Sequence, residues 1–170
     1  MSPSATAISV EQYLTTSYRP DRDYVDGVVL ERNVGEFDHS RLQALLTIWL
    51  GSRESQWGVR ILTEQRVQVS STRFRIPDIC VINTERERIL RKPPLICIEI
   101  LSEEDRMSRM QQRIDDYLKF GVRFVWVIDP STRKAYAHTT EGMREAKDGI
   151  LRSEDPDITL PLAEIFAEME

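Results

Sequence analysis

Two short runs decide the reading of this chain: Ile76-Pro-Asp-Ile-Cys-Val-Ile82 and Leu95-Ile-Cys-Ile-Glu-Ile-Leu101. Each is an apolar strand with one carboxylate inside it, and the two acids, Asp78 and Glu99, stand 21 positions apart. An ionised carboxylate among Ile, Val and Cys side chains is costly unless something pairs with it. Two of them, on strands that can be neighbours, point to a divalent cation between them. The other reading is that each acid caps a strand end or pairs with an arginine such as Arg73 or Arg75.

Working outward, residues 95–101 are continuously apolar apart from Glu99, as in a central strand covered on both faces. Residues 104–120 read as a helix ended by Gly121, with Met107, Met110, Ile114, Tyr117 and Leu118 as its buried stripe. Residues 123–129 form another apolar strand. The strand–helix–strand unit predicts a parallel pair with a right-handed crossover. Upstream, residues 59–69 and 73–82 look like a hairpin of two long strands. Pro77 inside the second makes it an edge or a bulge there, because proline cannot donate to a ladder.

Nearer the start, Ser9-Val-Glu-Gln12 fits a capping box for a short helix ending near Thr16. Residues 24–32 carry the strongest hairpin signal, with Asp26-Gly27 at the turn. Asp38 is expected to cap a long helix whose buried stripe is Leu42, Leu45, Leu46, Trp49 and Leu50. Residues 134–138 suggest a short outer strand, and the chain closes on a helix over 162–169. The expected architecture is α/β in the mixed α+β sense: one mixed β-sheet, antiparallel first, with one parallel crossover at its centre and helices on its faces.

The chain has 170 residues, 41% of them hydrophobic types, which is enough for one ordinary core and argues for one domain over 1–170, with 1–7 a loose start. No stretch approaches a membrane span and the N-terminus lacks the pattern of a signal peptide. Cys80 and Cys97 lie inside the apolar strands and read as buried thiols, which fits a reducing cytoplasm. The net charge is −5, but residues 139–170 alone carry −6, so the rest of the chain is close to neutral and leaves room for a local basic surface.

Pro77-Asp78, Glu99-Ile-Leu-Ser102, Arg113-Ile-Asp-Asp-Tyr117, Gly121-Val122 and Val125-Trp-Val-Ile-Asp-Pro130, taken in this order and spacing, resemble the Uma-type putative restriction endonuclease family of the PD-(D/E)XK nuclease superfamily. The likeness also takes in residues 24–27, His39 and residues 64–69, and so covers nearly the whole chain. It implies a restriction-endonuclease-like mixed β-sheet flanked by helices. It also implies Mg2+ (or Mn2+) held by Asp78 and Glu99, but not a known substrate; the expected partner is nucleic acid, with DNA favoured over RNA. A homodimer is expected by analogy, since both strands of a duplex must be cut.

The superfamily pattern expects a Lys two residues after the second acid, and here that position is Leu101. Related families move the basic group to the next helix, where Arg113 stands. An arginine stabilises negative charge but stays protonated and cannot act as a base. Arg106 and Arg109 share its flank as candidates for nucleic-acid contact, the alternative being a solvated face paired with Glu103, Asp105 and Asp116. Glu64 is a candidate third metal acid, or else a surface residue. Glu36 and His39 at the start of the long helix, and Tyr117, are accessory candidates. The resulting reading is a Mg2+-dependent DNA endonuclease that hydrolyses phosphodiester bonds. Its rivals are a degenerate nuclease that binds nucleic acid without cutting, and a dimeric interaction module using the hairpin and the acidic tail.

Overall fold

The computed structural model describes residues 6–32, 35–103, 105 and 107–170. Most of the expected loose start lies outside the described residues. Ser9 opens α1 (Val10–Thr15): its hydroxyl accepts from the Gln12 N–H while the Gln12 side chain accepts from the Ser9 N–H, the reciprocal box read from the sequence. Asp26 (φ 48°) and Gly27 (φ 92°) turn β1 (Asp23–Val25) into β2 (Val28–Leu30). Positive φ at both positions matches the right-handed twist of the strands it joins. Helix α2 (Phe37–Gly51) buries Leu42, Leu46 and Leu50. Asp38 does not cap it: Glu36 holds the cap position without a side-chain bond, and Asp38 sits in the first turn, where its charge still favours the helix end.

After a single-turn α3 (Glu54–Trp57) come β3 (Arg60–Thr63), β4 (Val67–Ser70), β5 (Arg73–Arg75) and β6 (Ile79–Ile82). The expected long hairpin is divided between two sheets. β4 pairs with β5 in one and β3 pairs with β6 in the other. Pro77 lies in the break between β5 and β6, where its missing N–H interrupts the ladder. Across from it Glu64 takes φ 51° and its N–H donates to the Asp78 carbonyl at 3.2 Å. Asp78 is therefore the residue at which the chain enters the second sheet.

β7 (Ile96–Ile100), α4 (Met107–Phe120) and β8 (Phe124–Asp129) form the expected parallel crossover. Met110, Ile114 and Tyr117 are buried, but Met107 is 85% exposed and leaves the predicted stripe. Gly121 (φ 115°) ends the helix under Pro93, and a Cβ there would come within 3.1 Å of the proline ring. β9 (Lys134–Thr139) is not the outer strand, since β10 (Gly142–Glu145) pairs beyond it. β11 (Ile150–Arg152), β12 (Thr159–Pro161) and α5 (Leu162–Ala167) complete the chain.

The architecture is mixed α+β. The six-stranded sheet runs β10-β9-β8-β7-β6-β3, the four-stranded one β2-β1-β5-β4, and β11 pairs with β12 apart. The expected single sheet is thus corrected to a principal mixed sheet and a smaller antiparallel one. Helices α2 and α5 cover one face of the principal sheet and α4 the other. Tyr13, Tyr24 and Phe74 pack as an aromatic cluster between α1 and the smaller sheet. Among the described residues no helix is long and apolar enough to cross a membrane.

Candidate functional site

Ile79 pairs with Ile98 at the end of the β6–β7 ladder, so one step further the strand direction sets Asp78 opposite Glu99. Opposed residues of an antiparallel pair point to the same face. Here it is the α4 face, lined before them by Cys80 and Cys97. Both acids are buried, Asp78 at 4% exposure and Glu99 at 0%.

Asp78 is saturated with donors. Its Oδ1 accepts from Arg32 Nη2 at 3.0 Å, and its Oδ2 accepts from the Ile100 N–H at 2.8 Å and lies 3.3 Å from His39 Nε2. Gln43, one turn along α2 from His39, donates to the Asp78 backbone carbonyl at 3.0 Å. Burial works to raise the Asp78 pKa. The His39 hydrogen bond and the charges of His39, Arg113 and Arg32 outweigh it and hold the carboxyl below its usual value. His39 answers in kind: burial pulls it down, but the bond and charge of Asp78 win and its pKa is raised.

Glu99 is held on one side only. Its Oε1 accepts from Tyr117 Oη at 2.7 Å and from Arg113 Nη2 at 2.9 Å, while Oε2 is buried with no hydrogen-bond partner. Burial pushes Glu99 up to about 8, against the opposing pull of Arg113 and with the Asp78 charge adding to the rise. Arg113 is pinned from three directions. It meets Glu99, donates to the Ile76 carbonyl at 2.9 Å, and its Nε lies 3.6 Å from Asp23 Oδ2. Arg113 and Tyr117 sit one turn apart on α4, which is why one helix delivers both to the same carboxylate.

A cleft of about 320 Å³ opens beside this cluster, with Asp23, Arg32, His39, Asp78, Arg109 and Arg113 among its lining. Glu99 does not line it and lies beneath Arg113. The structure therefore brings together Asp78, Glu99, Arg113, Tyr117 and His39. Exposed Arg109 reaches the cleft, and Arg106 lies outside the described residues. Glu64 does not join the two acids: its side chain is 56% exposed and meets Arg32 at 3.5 Å. Glu36 is exposed at the α2 cap, near His39 but outside the Asp78 cleft. Among the described residues, no three His, Cys, Asp or Glu side chains converge as a metal cage.

Arg73 and Arg75 do not pair with either acid. Arg73 bridges Asp26 and Asp116, and Arg75 bridges Asp23 and Asp116, tying β1, β5 and α4 together. Arg32, Asp23 and Gln43 belong to the cluster and were not read from the sequence. Asp23 opens β1 and is 3% exposed, but among Asp21, Arg22 and Asp26 no apolar run set it apart. Arg32 had no signal either, being 46 residues from the acid it holds.

Comparison with known proteins agrees with this geometry at the level of fold and family. The family described as Uma2, putative restriction endonuclease, matches residues 10–168, and the chain belongs to it. The crystal structure of a putative nuclease of the DUF820 group from Anabaena variabilis superposes with a TM-score of 0.82 at 20% identity, covering 96% of this chain and 99% of that one. The fold is thus that of a nuclease-like protein. A DrdV–DNA complex solved by cryo-EM aligns at a TM-score of 0.47 and 16% identity over 79% of this chain and 12% of that one, too distant to inform on function. No curated protein matches the chain.

Proposed function

We propose that this protein is a Mg2+-dependent phosphodiesterase, an endonuclease acting on DNA from a single nuclease-like domain, with Mn2+ as an alternative metal. The observation that carries this reading is the opposed pair Asp78 and Glu99 beside a polar cleft, with Glu99 Oε2 buried and unpartnered. Such an oxygen is costly to bury unless a cation or donor meets it. The donor set fits a hard cation, being carboxylate oxygens from two facing positions, with waters and a substrate oxygen left to complete the shell. When bound, the metal supplies positive charge to the phosphate and a water of lowered pKa.

The chain's own residues have separable tasks. Asp78 and Glu99 hold the metal. His39 and the Ile100 N–H orient Asp78, and Tyr117 orients Glu99. Arg113 places a permanent positive charge beside both acids and takes no proton at ordinary pH. Arg109 at the cleft would meet a backbone phosphate.

The test is direct. Mg2+ should raise the melting temperature of the wild type, and supercoiled plasmid should be nicked only when Mg2+ or Mn2+ is present. Asp78→Asn should show neither effect. A wild type that neither responds to Mg2+ nor cuts any DNA rejects the reading. One observation favours a second reading, a nuclease-like protein that binds DNA without cutting. Leu101 stands where a catalytic Lys is expected and packs against the apolar core under α4. DNA binding without cleavage under all metals would mark that case.

A further inference from the structure

Arg32 is the least explained charge at the site. It leaves the end of the β1–β2 hairpin, its side chain is only 10% exposed, and its guanidinium spans two acids. One nitrogen meets Asp78 Oδ1 at 3.0 Å and the other meets Glu64 Oε1 at 3.5 Å. It also lines the cleft. The contrast with Arg113 is instructive. Arg113 is tied to Glu99, Asp23 and the Ile76 carbonyl, so moving it would break three contacts in the interior. Arg32 is tied to one buried acid and to one that is 56% exposed, and exposed pairs hold weakly.

We propose that Arg32 is an exchangeable counter-ion: it neutralises Asp78 when no metal is present, and leaves that carboxylate for a phosphate of the DNA when a divalent cation takes its place. This rests on Asp78 being a metal ligand, as proposed above. The physical reason is competition. A cation on Asp78 would stand a few ångströms from the guanidinium, as a like charge in a poorly solvated cleft. The doubly charged ion has the stronger hold on Asp78. The displaced guanidinium still faces the cleft, and its planar fork suits two phosphate oxygens. Glu64, which stays beside Arg32 throughout, limits how far it swings. That gives Glu64 a task consistent with its position, guiding Arg32 rather than binding metal.

The experiment uses the full chain, the Arg32→Gln and Arg32→Lys variants, and two readouts. The first is the Mg2+ concentration at half-maximal thermal shift. The second is affinity for a short duplex, by fluorescence anisotropy in Ca2+. Arg32→Gln removes the competitor, so half-saturation should fall at least threefold while duplex affinity falls tenfold or more. Arg32→Lys keeps one charge without the fork, so its Mg2+ midpoint should stay near wild type and its duplex affinity should fall less. If Arg32→Gln does not fold, Glu64→Gln serves instead: with its second acid gone, Arg32 is left to Asp78 alone, so the Mg2+ midpoint should rise, and an unmoved midpoint overturns the proposal. A merely structural Arg32 would lower the melting temperature of the metal-free variants and leave the Mg2+ midpoint and duplex affinity unmoved, which overturns the proposal. If the wild type itself shows no Mg2+ response, it is the metal reading of Asp78 that fails.

Discussion

The two faces of the six-stranded sheet follow opposite rules. Beneath α2 and α5, Ile79, Ile96 and Ile98 meet Leu42, Leu46 and Leu50, and the packing is apolar from end to end of those strands. Beneath α4 the face starts the same way, with Cys80, Cys97 and Val125 against Ile114. It then changes at Asp78 and Glu99 into a network of buried charge. Alternate residues of the same strand serve both faces: Ile98 and Ile100 one, Cys97 and Glu99 the other. The difference shows a division of labour. One face supplies stability through area removed from water. The other accepts desolvation and holds Asp78 at the edge of a polar cleft, with Glu99 buried behind it.

The comparison breaks most visibly if the apolar face is damaged. Leu46→Ala empties a fully buried position and should cost about 2–5 kcal/mol in denaturant melts. It should leave the Mg2+ midpoint of the surviving folded protein unchanged. A shifted midpoint would mean the two faces are not independent.

Within the charged face the two acids should part company. Asp78→Asn takes the charge from the carboxylate that His39 meets and leaves Arg32 only the exposed Glu64, so apo stability should fall by about 1–3 kcal/mol. Glu99→Gln should leave apo stability unchanged or raise it, because the native carboxyl is already pushed towards its neutral form. Equal losses in both variants would contradict this asymmetry.

A pH titration sharpens the same contrast. With its folded pKa raised to about 8 from the ordinary 4.5, Glu99 binds more protons folded than unfolded between those values. Its contribution to stability is therefore full below about 4.5 and lost as pH rises towards 8. The difference in stability between wild type and Glu99→Gln should grow in Glu99→Gln's favour across that window and level off above it. Asp78 has the opposite sign: its folded pKa is lowered, so what it contributes is present above its ordinary pKa and lost as pH falls through the folded one.

The smallest effect belongs to Tyr117→Phe, which removes one hydrogen bond to Glu99 and should cost about 0.5–1.5 kcal/mol. That bond favours the charged carboxylate, so its loss should move the upper end of the pH window higher. No movement would show that Tyr117 does not tune Glu99.

Several features were legible in local sequence because their causes are local. The Ser9–Gln12 box, the Asp26-Gly27 turn and the Leu42–Leu46–Leu50 stripe each depend on residues within a few positions of one another. The parallel crossover followed from strand, helix and strand in succession. Asp78 and Glu99 stood out because charge inside an apolar strand needs a partner wherever the chain goes. What the sequence could not show was the identity of that partner. Arg73 and Arg75 were the near candidates, yet Arg32 and Arg113 hold the acids, because the chain changes sheets at Pro77 and turns β5 away from β6. Across the same break Glu64 stands outside the acid pair, and at the start of α4 Met107 is left in solvent. Periodicity states which side of an element is apolar. Only tertiary packing decides which charges from distant elements share one buried space, because each must find its counter-ion within about 4 Å, whatever the separation along the chain.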